Sequence, residues 1–469
     1  MLLHSSPNNI LNIAKILGVI MINTIGTYKK LQLYEARNSK LDNVIRVTVI
    51  LALSGIPAVF VPLGGHTDHF YLPKVAAMIV LVLSFSVMLV INKMQLKDIV
   101  QKDNINMSLF IYIIFLIASV NTAENKLLAI IGVPGRWEGL VAILLYTFLF
   151  IAARLYLTPD ERLFKIILFT AIIVSIYGIL QTVGIDPFPR DVIRENWGSR
   201  AFSTMGNPNF LGSYIVLIIP ISIYFYIINK NLTGLITYAI LFYCLLSTNT
   251  RGAWLGTIAS ILAFAAIHYI YFKYRKGEFN RYIILFVITI LLIALYNFNT
   301  EGAFIDRFLS ITKDANEFLT DSDRSDYTGA HRGFIWKRVV ELIKNRPLTG
   351  YGLENLGEAF QKYYTQDMIE FWGEVRYPDK AHNEYLHIAV TTGIPSLLVY
   401  LTLIAQIVLK GLFRLKNCKI MLLLLSSVIG YMTAAFFNIS VVSVAYVYWI
   451  FLGLLAGNNN TRGVKCYTN

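Results

Sequence analysis

Charged residues are scarce in this 469-residue chain: Asp, Glu, Lys and Arg make up 15% of it, against about 25% in a typical soluble domain. Cysteine is almost absent, with 3 residues and none in a long loop, so no disulfide framework is indicated. The first apolar stretch is broken by Asn12, Lys15 and Asn23, so the pattern of a cleavable signal peptide is lacking. What the chain has instead is apolar residues, which make up 56% of it and predict a protein embedded in a membrane.

The net charge of +13 is a feature that nucleic-acid-binding proteins share. No module that combines aromatic and basic residues for nucleic acid is visible in the sequence. In polytopic membrane proteins an excess of lysine and arginine collects in cytoplasmic loops. We therefore expect the lipid bilayer, and no nucleic acid, as a partner.

Long apolar runs recur along most of the chain. Since a helix of about 20 apolar residues crosses a bilayer, the sequence predicts an all-α polytopic membrane protein with about twelve transmembrane helices. A large polar loop, from 299 to about 380, comes before the last three spans, and a weaker run at 10–26 either crosses as well or lies on the surface. The predicted spans are 47–65, 70–92, 107–123, 137–157, 163–184, 209–228, 232–250, 251–272, 281–298, 394–413, 419–438 and 440–457.

Lysine and arginine in short loops mark the cytoplasmic side of a membrane protein. Their distribution places the N-terminus inside and the long loop outside the cytoplasm, where its length exempts it from this rule. The prediction divides the chain into a cytoplasmic N-terminal segment (1–46), transmembrane helices 1–9 (47–298), an extracytoplasmic loop with amphipathic helices and a histidine motif (299–393), transmembrane helices 10–12 (394–457) and a cytoplasmic tail (458–469).

A few basic residues lie in short outer segments, against this trend. Snorkelling to lipid phosphate accounts for any single one of them about as well as a function does. Arg251 is the clearest exception, because spans 232–250 and 251–272 meet at a tight corner that small polar residues alone could form. Gly252 is expected to relax the backbone of this corner. The residues concerned are Lys126, Arg136, Arg190, Arg194, Arg200 and Arg251.

The segment "RAFSTMGNPNFLG" opens the span 209–228. Asn207 is predicted to cap this helix, with Pro208 at the first helical position, where its missing N–H costs nothing. Arg200 lies just upstream in the same outer loop, and an ordinary surface cation is the alternative to a functional role.

In "HRGFIWKRVVELIKN" the residues Ile335, Val339, Leu342 and Ile343 recur at helical spacing, which predicts an amphipathic helix opened by Arg332. Such a helix could lie on the outer leaflet, form a lid over a membrane-embedded site, or cap the surface. The sequence leaves these three alternatives open.

The stretch "AHNEYLHIAVTTGIPSLLVYL" places His382 ahead of an apolar run. A break at Gly393 and Pro395 separates a short helix, 382–392, from the span that follows. The partial positive charge of that helix's N-terminus disfavours imidazolium, so His382 is predicted to be neutral at pH 7, as a general base must be. The alternative is a polar residue that only starts a helix.

Together these segments resemble the O-antigen ligase and polysaccharide polymerase superfamily of bacterial membrane proteins. The match runs through "RAFSTMGNPNFLG", "STNTRGAWLG", "RGFIWKRVVELIKNRPLTGYGLENLG" and "AHNEYLHIAVTTGIPSLLVYL", in that order, with a large outer loop before the last. The segments "IIGVPGRWEGL", around Arg136, and "YGILQTVGIDPF" are similar to members of this group as well. The resemblance covers most of the chain, from 45 to 457.

The resemblance implies a GT-C-like glycosyltransferase in the bacterial inner membrane, with its site on the extracytoplasmic face. It implies an undecaprenyl-diphosphate-linked glycan as donor, an inverting transfer to an acceptor hydroxyl, and neither metal nor cofactor. The family's diphosphate-binding arginines match Arg200 and Arg251, and its essential histidine matches His382. Further candidates for the site are Arg332, Arg136, Asn207 and Asn383.

Several alternatives stay open. The acceptor is a lipid A core in a ligase, a second lipid-linked repeat in a polymerase, or a protein hydroxyl in an oligosaccharyltransferase. A secondary transporter and a non-catalytic envelope-assembly protein are the other classes, although we see no repeat between the halves and no acidic residue in the middle of a span. A metal site at His66, Asp68 and His69 is a weak alternative, because ligands so close in sequence cannot easily enclose one ion.

Overall fold

The computed structural model describes residues 43–61, 68–91, 103–186, 188, 197–320 and 325–457. Within these ranges the chain is helical and contains no strand. The weak span at 10–26, the C-terminal tail and most of the N-terminal segment lie outside the described residues. The helices are α1 Asn43–Ala58, α2 Tyr71–Ile91, α3 Asn104–Thr122, α4 Lys126–Ile131, α5 Leu140–Tyr156, α6 Glu161–Thr182, α7 Pro208–Ile227, α8 Leu232–Ser247, α9 Arg251–Phe272, α10 Lys276–Asn299, α11 Ala303–Thr320, α12 Thr328–Asn345, α13 Leu356–Tyr363, α14 Thr365–Trp372, α15 Glu384–Thr392, α16 Ile394–Arg414, α17 Met421–Ala435 and α18 Ala445–Ala456.

The all-α polytopic class is confirmed. Among the described residues, 6 helices are long and apolar enough to cross a membrane, namely α3, α6, α7, α9, α10 and α16. Shorter apolar helices, α1, α2, α5, α8, α17 and α18, coincide with the other predicted spans. The count of about twelve crossings stays a prediction, because a helix as short as α18 extends only about 18 Å while the hydrocarbon core is about 30 Å thick.

Helix α7 lies at the centre of the bundle. Its sequence is apolar on every side, which is the pattern of a helix surrounded by other helices rather than one with a lipid or water face. Accordingly every residue of α7 except Asn209 is buried, and the helix packs against α6, α8, α9 and α17. Asn207 caps α7 as predicted: its side chain accepts a hydrogen bond from the Asn209 N–H at 2.8 Å, and Pro208 is the first helical residue.

Small residues allow α9 and α17 to approach closely. A Cβ atom at Gly256 would lie 2.7 Å from the Gly430 carbonyl oxygen, and one at Gly252 would lie 2.8 Å from the Phe437 Cβ. Gly252 is therefore required for packing, and the expectation that it relaxes the backbone corner was wrong. The residue with a left-handed backbone at that corner is Asn249, with φ of 49°.

The long polar loop folds into a layer of helices, α11–α15, on one end of the bundle. Helix α12 buries Phe334, Ile335, Val339 and Leu342 in a core that this layer forms with residues from α13–α15. The apolar face of the predicted amphipathic helix thus packs against protein, which argues against a position on the leaflet. Its first turns face the bundle, as described below.

The connection between α17 and α18 is longer than the sequence predicts. Helix α17 ends at Ala435, where the sequence predicts 438, and α18 begins at Ala445, where it predicts 440. Residues 436–444 are not helical, and Val442 and Ser443 within them are fully buried. Irregular backbone inside a membrane protein is tolerated where other protein segments enclose it. This buried connection contributes to two cavities at the same end of the bundle.

Candidate active site

His382 lies immediately before α15 rather than inside it. The helix begins at Glu384, and the Asn383 side chain caps it by accepting a hydrogen bond from the Leu386 N–H at 3.1 Å. The predicted short helix, with its start expected near 381–384, is therefore confirmed, and His382 lies just ahead of its first turn. His382 has a left-handed backbone, with φ of 50°, a conformation that a residue with a side chain keeps only where its surroundings impose it.

The surroundings of His382 favour its neutral form. Burial, together with the nearby Arg332 guanidinium, lowers the pKa of its imidazole to about 4, against the opposing effect of Asp379. Its Nδ1 atom is buried and has no hydrogen-bond partner among the described residues. The ring is therefore neutral at pH 7, as predicted, but burial is the main cause and not the helix dipole.

A cavity of about 350 Å³ lies between the α11–α15 layer and the bundle. Three charged side chains, Arg251, Arg332 and Asp314, stand at its wall. Most of the remaining lining is apolar, from Leu255, Ile311, Ala315, Trp336, Phe436 and Phe437. The cavity thus combines a cationic wall with an apolar one.

Trp336 connects this cavity to the histidine. Its indole Nε1 donates a hydrogen bond of 2.9 Å to the Ala381 carbonyl, next to His382 in the chain. Helix α12 therefore supplies both Arg332, which lowers the pKa of His382, and a hydrogen bond that fixes the adjoining backbone.

Arg251 is the first residue of α9 and points toward α11. Its Nη1 atom donates to the Asp314 carboxylate at 2.5 Å and to the Ser310 hydroxyl at 2.8 Å. Asp314 also accepts a hydrogen bond from the Gly329 N–H at 3.1 Å, so it joins α11 to the start of α12 as well.

Two more arginines meet at the corner before α9. Arg200 donates from Nε to the Thr248 carbonyl at 2.9 Å, and Arg307, on α11, donates to the Asn249 carbonyl at 3.0 Å. Burial lowers the pKa of Arg200 to about 10, with a further contribution from Arg307. Burial also lowers the pKa of Arg332 to about 10, helped by Arg251 and Arg307. The structure therefore brings Arg200, Arg251 and Arg332 into one cationic group.

Arg307 belongs to this group but was missed in the sequence. It lies in the polar part of an amphipathic helix, where nothing in the local pattern distinguishes it from a solvated charge. Its role in the group depends on how α11 folds back onto α9, which local sequence does not show.

Arg136 is connected to the site through Asp379, which lies three residues before His382 in the chain. The Arg136 Nε atom lies 2.8 Å from the Asp379 carboxylate, and its guanidinium lies over the Phe210 ring at 5.6 Å. Burial opposes the ionisation of Asp379, but the charge and hydrogen bond of Arg136 outweigh it, so the pKa of this carboxyl is lowered. Arg136 thus fixes the segment before His382 against the first turn of α7.

A buried group of charges lies beneath the same segment. Lys380 donates to Glu354 at 2.5 Å and to Glu138 at 3.2 Å, and all three side chains are at most 4% exposed. We call Lys380, Glu354 and Glu138 the buried triad. It borders a second cavity, of about 50 Å³, together with Glu384 and His387. No local sequence pattern indicates the buried triad, because its members come from three separate connections between helices.

Among the remaining candidates, Asp68 accepts a hydrogen bond from the indole Nε1 of the distant Trp137. Asp68 caps the start of α2, with its carboxylate 2.8 Å from the Tyr71 N–H, and His69 Nδ1 lies 2.9 Å from the Val61 carbonyl. His66, the third member of the weak metal candidate, lies outside the described residues. Among the residues that the structure describes, no group of three or more His, Cys, Asp or Glu is placed to hold a metal ion.

Fold and site together define a polytopic all-α membrane protein that gathers arginines and a neutral histidine beside a cavity at one end of its helix bundle. Residues 236–401 match the family described as O-Antigen ligase, and this segment contains Arg251, Arg307, Arg332 and His382. The resemblance found in the sequence is thereby confirmed: this segment of the chain is similar to the O-antigen ligase family.

Two curated proteins match a short part of the chain. The "Putative polysaccharide ligase RC0486" of Rickettsia conorii is 35% identical over 92 residues, which is 19% of this chain and 22% of that protein. A protein of the same description from Rickettsia felis is 34% identical over 94 residues, which is 20% of this chain and 22% of that protein. The matched part thus spans less than a quarter of either relative. No solved structure matches the chain significantly.

Proposed function

We propose that the chain is a membrane glycosyltransferase that transfers a glycan from an undecaprenyl-diphosphate-linked donor to an acceptor hydroxyl. The observation that carries this proposal is the cavity of about 350 Å³, which sets Arg251 and Arg332 beside an apolar wall. A lipid diphosphate needs both surfaces, because its head is anionic and its tail is apolar. The neutral His382 beside Arg332 adds a group able to accept a proton.

In this proposal the arginines bind the leaving group. A guanidinium binds phosphate oxygens through two parallel N–H donors and stays charged at any working pH. Negative charge grows on the diphosphate as the bond to the sugar breaks, so fixed cations stabilise the transition state more than the bound donor. These charges supply the stabilisation in our scheme without a metal ion.

His382 acts on the acceptor. As the acceptor oxygen attacks the anomeric carbon, the neutral imidazole accepts its proton, and the glycosyl–oxygen bond to the diphosphate breaks. Attack from the side opposite the leaving group inverts the anomeric centre. A general base of this kind contributes about 10²–10⁴ in rate.

We place the site on the extracytoplasmic face of a bacterial inner membrane. The support is the distribution of lysine and arginine, which assigns the α11–α15 layer to the side opposite the basic short loops. For the acceptor we propose a glycan hydroxyl, either on a second lipid-linked repeat or on a lipid anchor. The names of the two relatives, as polysaccharide ligases, support a polysaccharide as the group that is transferred.

The test is to purify the chain, supply undecaprenyl-diphosphate-linked glycan with an acceptor, and measure the release of undecaprenyl diphosphate. We expect release by the wild type, and a loss of about 100-fold or more in His382→Ala and Arg251→Ala. His331→Ala is the matched control, because this exposed histidine contacts only the Tyr327 and Phe371 rings among the interactions resolved.

Two results would contradict the proposal in different ways. Wild-type protein that releases no lipid diphosphate with any glycan acceptor refutes the enzyme and favours a transporter or an assembly protein. Full activity in His382→Ala and Arg251→Ala keeps the enzyme but refutes the assignment of its site.

A further inference from the structure

Asp314 is the one acidic side chain among the described residues that line the large cavity. Its carboxylate accepts hydrogen bonds from Arg251 at 2.5 Å and from the Gly329 N–H at 3.1 Å. The pair is only partly shielded from solvent, with 18% of the Arg251 side chain and 27% of the Asp314 side chain exposed. The Asp314 carboxylate therefore binds Arg251, the same arginine that we propose for the diphosphate of the donor.

The charges around Asp314 do not balance. Besides Arg251, the guanidinium groups of Arg307 and Arg332 lie close enough to interact electrostatically with this carboxylate. Among the described residues, one carboxylate thus faces three cations. A diphosphate in a lipid-linked donor carries two negative charges and more acceptor oxygens, so it matches this group better than Asp314 does.

Helix α11, which carries Asp314, is joined to α10 by a turn that leaves room for movement. Glu301 and Gly302 both have left-handed backbones, with φ of 52° and 90°, and a Cβ atom at Gly302 would meet no other atom within 4 Å. On the side away from the arginines, α11 exposes Ile305 and Leu309. Phe304 holds the first turn of α11 against Trp254 of α9, with ring centroids 4.7 Å apart, so the shift of α11 is confined to its later turns, which carry Asp314.

We infer that Asp314 is a specificity-determining residue that competes with the donor: its carboxylate holds Arg251 until a ligand with at least two negative charges displaces it. This inference rests on the proposed function. Displacement removes the contacts from Asp314 to α9 and α12, so α11 loosens when the diphosphate binds. A singly charged lipid headgroup, such as a phosphodiester, competes poorly with the carboxylate.

The experiment measures binding of inorganic pyrophosphate and of inorganic phosphate to the purified full chain by titration calorimetry. In Asp314→Asn we expect pyrophosphate to bind roughly tenfold more tightly than in the wild type, the scale of one partly exposed charge-assisted hydrogen bond. The preference for pyrophosphate over phosphate should also fall. Asp306→Asn is the matched control, because it makes the same charge change on an exposed residue of the same helix.

Hydrogen exchange provides a second readout. Pyrophosphate should speed the exchange of amides in α11 in the wild type, whereas in Asp314→Asn that exchange should be fast before any ligand is added. Asp306→Asn should behave as the wild type does in both measurements.

The inference is overturned if Asp314→Asn binds pyrophosphate no more tightly than the wild type does. Asp314 then positions Arg251 and does not compete with the ligand for it. Absence of binding in every variant overturns it too. The lipid diphosphate release assay on the same preparation separates the two proposals: release refutes only the inference, and no release refutes the proposed function as well.

Discussion

Replacing Lys380 by methionine removes the only cation of the buried triad. The lysine is 2% exposed, and its partners Glu354 and Glu138 are 1% and 4% exposed. Burial lowers the pKa of Lys380, but the two carboxylates raise it by more, so the ammonium form is stabilised. The partners respond differently: the pKa of Glu354 is lowered, while burial leaves that of Glu138 raised. Glu354, at the shorter distance, is therefore the main partner.

The size of the effect follows from the burial. Removing one partner of a buried ion pair costs about 3–5 kcal/mol, because an uncompensated charge is left behind or must take up a proton. An unfolding entropy of about 2.1 cal/mol/K per residue amounts to about 1 kcal/mol/K over a chain of this length. We therefore expect the melting temperature of Lys380→Met to fall by about 3–5 °C.

The assay is thermal unfolding of the purified protein in detergent, followed by intrinsic fluorescence. The matched control is Lys362→Met, since Lys362 lies 3.5 Å from Glu124 but the two side chains are 51% and 61% exposed. An exposed pair of this kind contributes about 0–1 kcal/mol. Adding Glu354→Gln to Lys380→Met should recover part of the lost stability. Equal melting temperatures for the two single variants would refute the reasoning.

Two further predictions concern the histidine and the helix packing. Only the neutral ring of His382 accepts a proton, and its pKa is about 4, so donor cleavage should persist as the pH falls from 7 to about 5 and disappear near 4. Arg332→Gln removes a cation that lowers this pKa, so it should move the loss of activity to higher pH. Initial rates measured across the pH range will show both effects. Gly256→Ala should lower the yield and melting temperature, since its Cβ would lie 2.7 Å from the Gly430 carbonyl, whereas Gly277→Ala, with open space around it, should not.

The membrane helices could be predicted because length and apolarity determine them locally. The predicted span 251–272 coincides with α9, and 394–413 differs from α16 by one residue. The connection 436–444 could not be predicted in the same way. Its residues are as apolar as those of the adjoining helices, and only the protein segments that enclose it make irregular backbone tolerable there.

Residues of the candidate site could be predicted where they lie in a short sequence motif. Arg251 and Arg332 line one cavity and His382 lies beside Arg332, as the predicted topology, which puts all three on one side of the membrane, allowed. The partners of Lys380 were not predictable, since Glu138 is 242 residues away in the chain. A charge in a connection appears solvated in the sequence, and only the folded chain shows that it is buried.

The buried charges also explain how the site keeps an unfavourable backbone. Glu354 and His382 both have left-handed conformations, with φ of 56° and 50°, and each costs about 1–3 kcal/mol. Glu354 is a member of the buried triad, and His382 follows Lys380 closely in the chain. The cost of leaving such a triad incomplete, about 3–5 kcal/mol, is of the same size as the strain of both residues together. At the other side of the site, Arg307 binds the carbonyl of the left-handed Asn249 directly. The charged groups therefore fix the backbone that carries the proposed base and the proposed diphosphate-binding arginine.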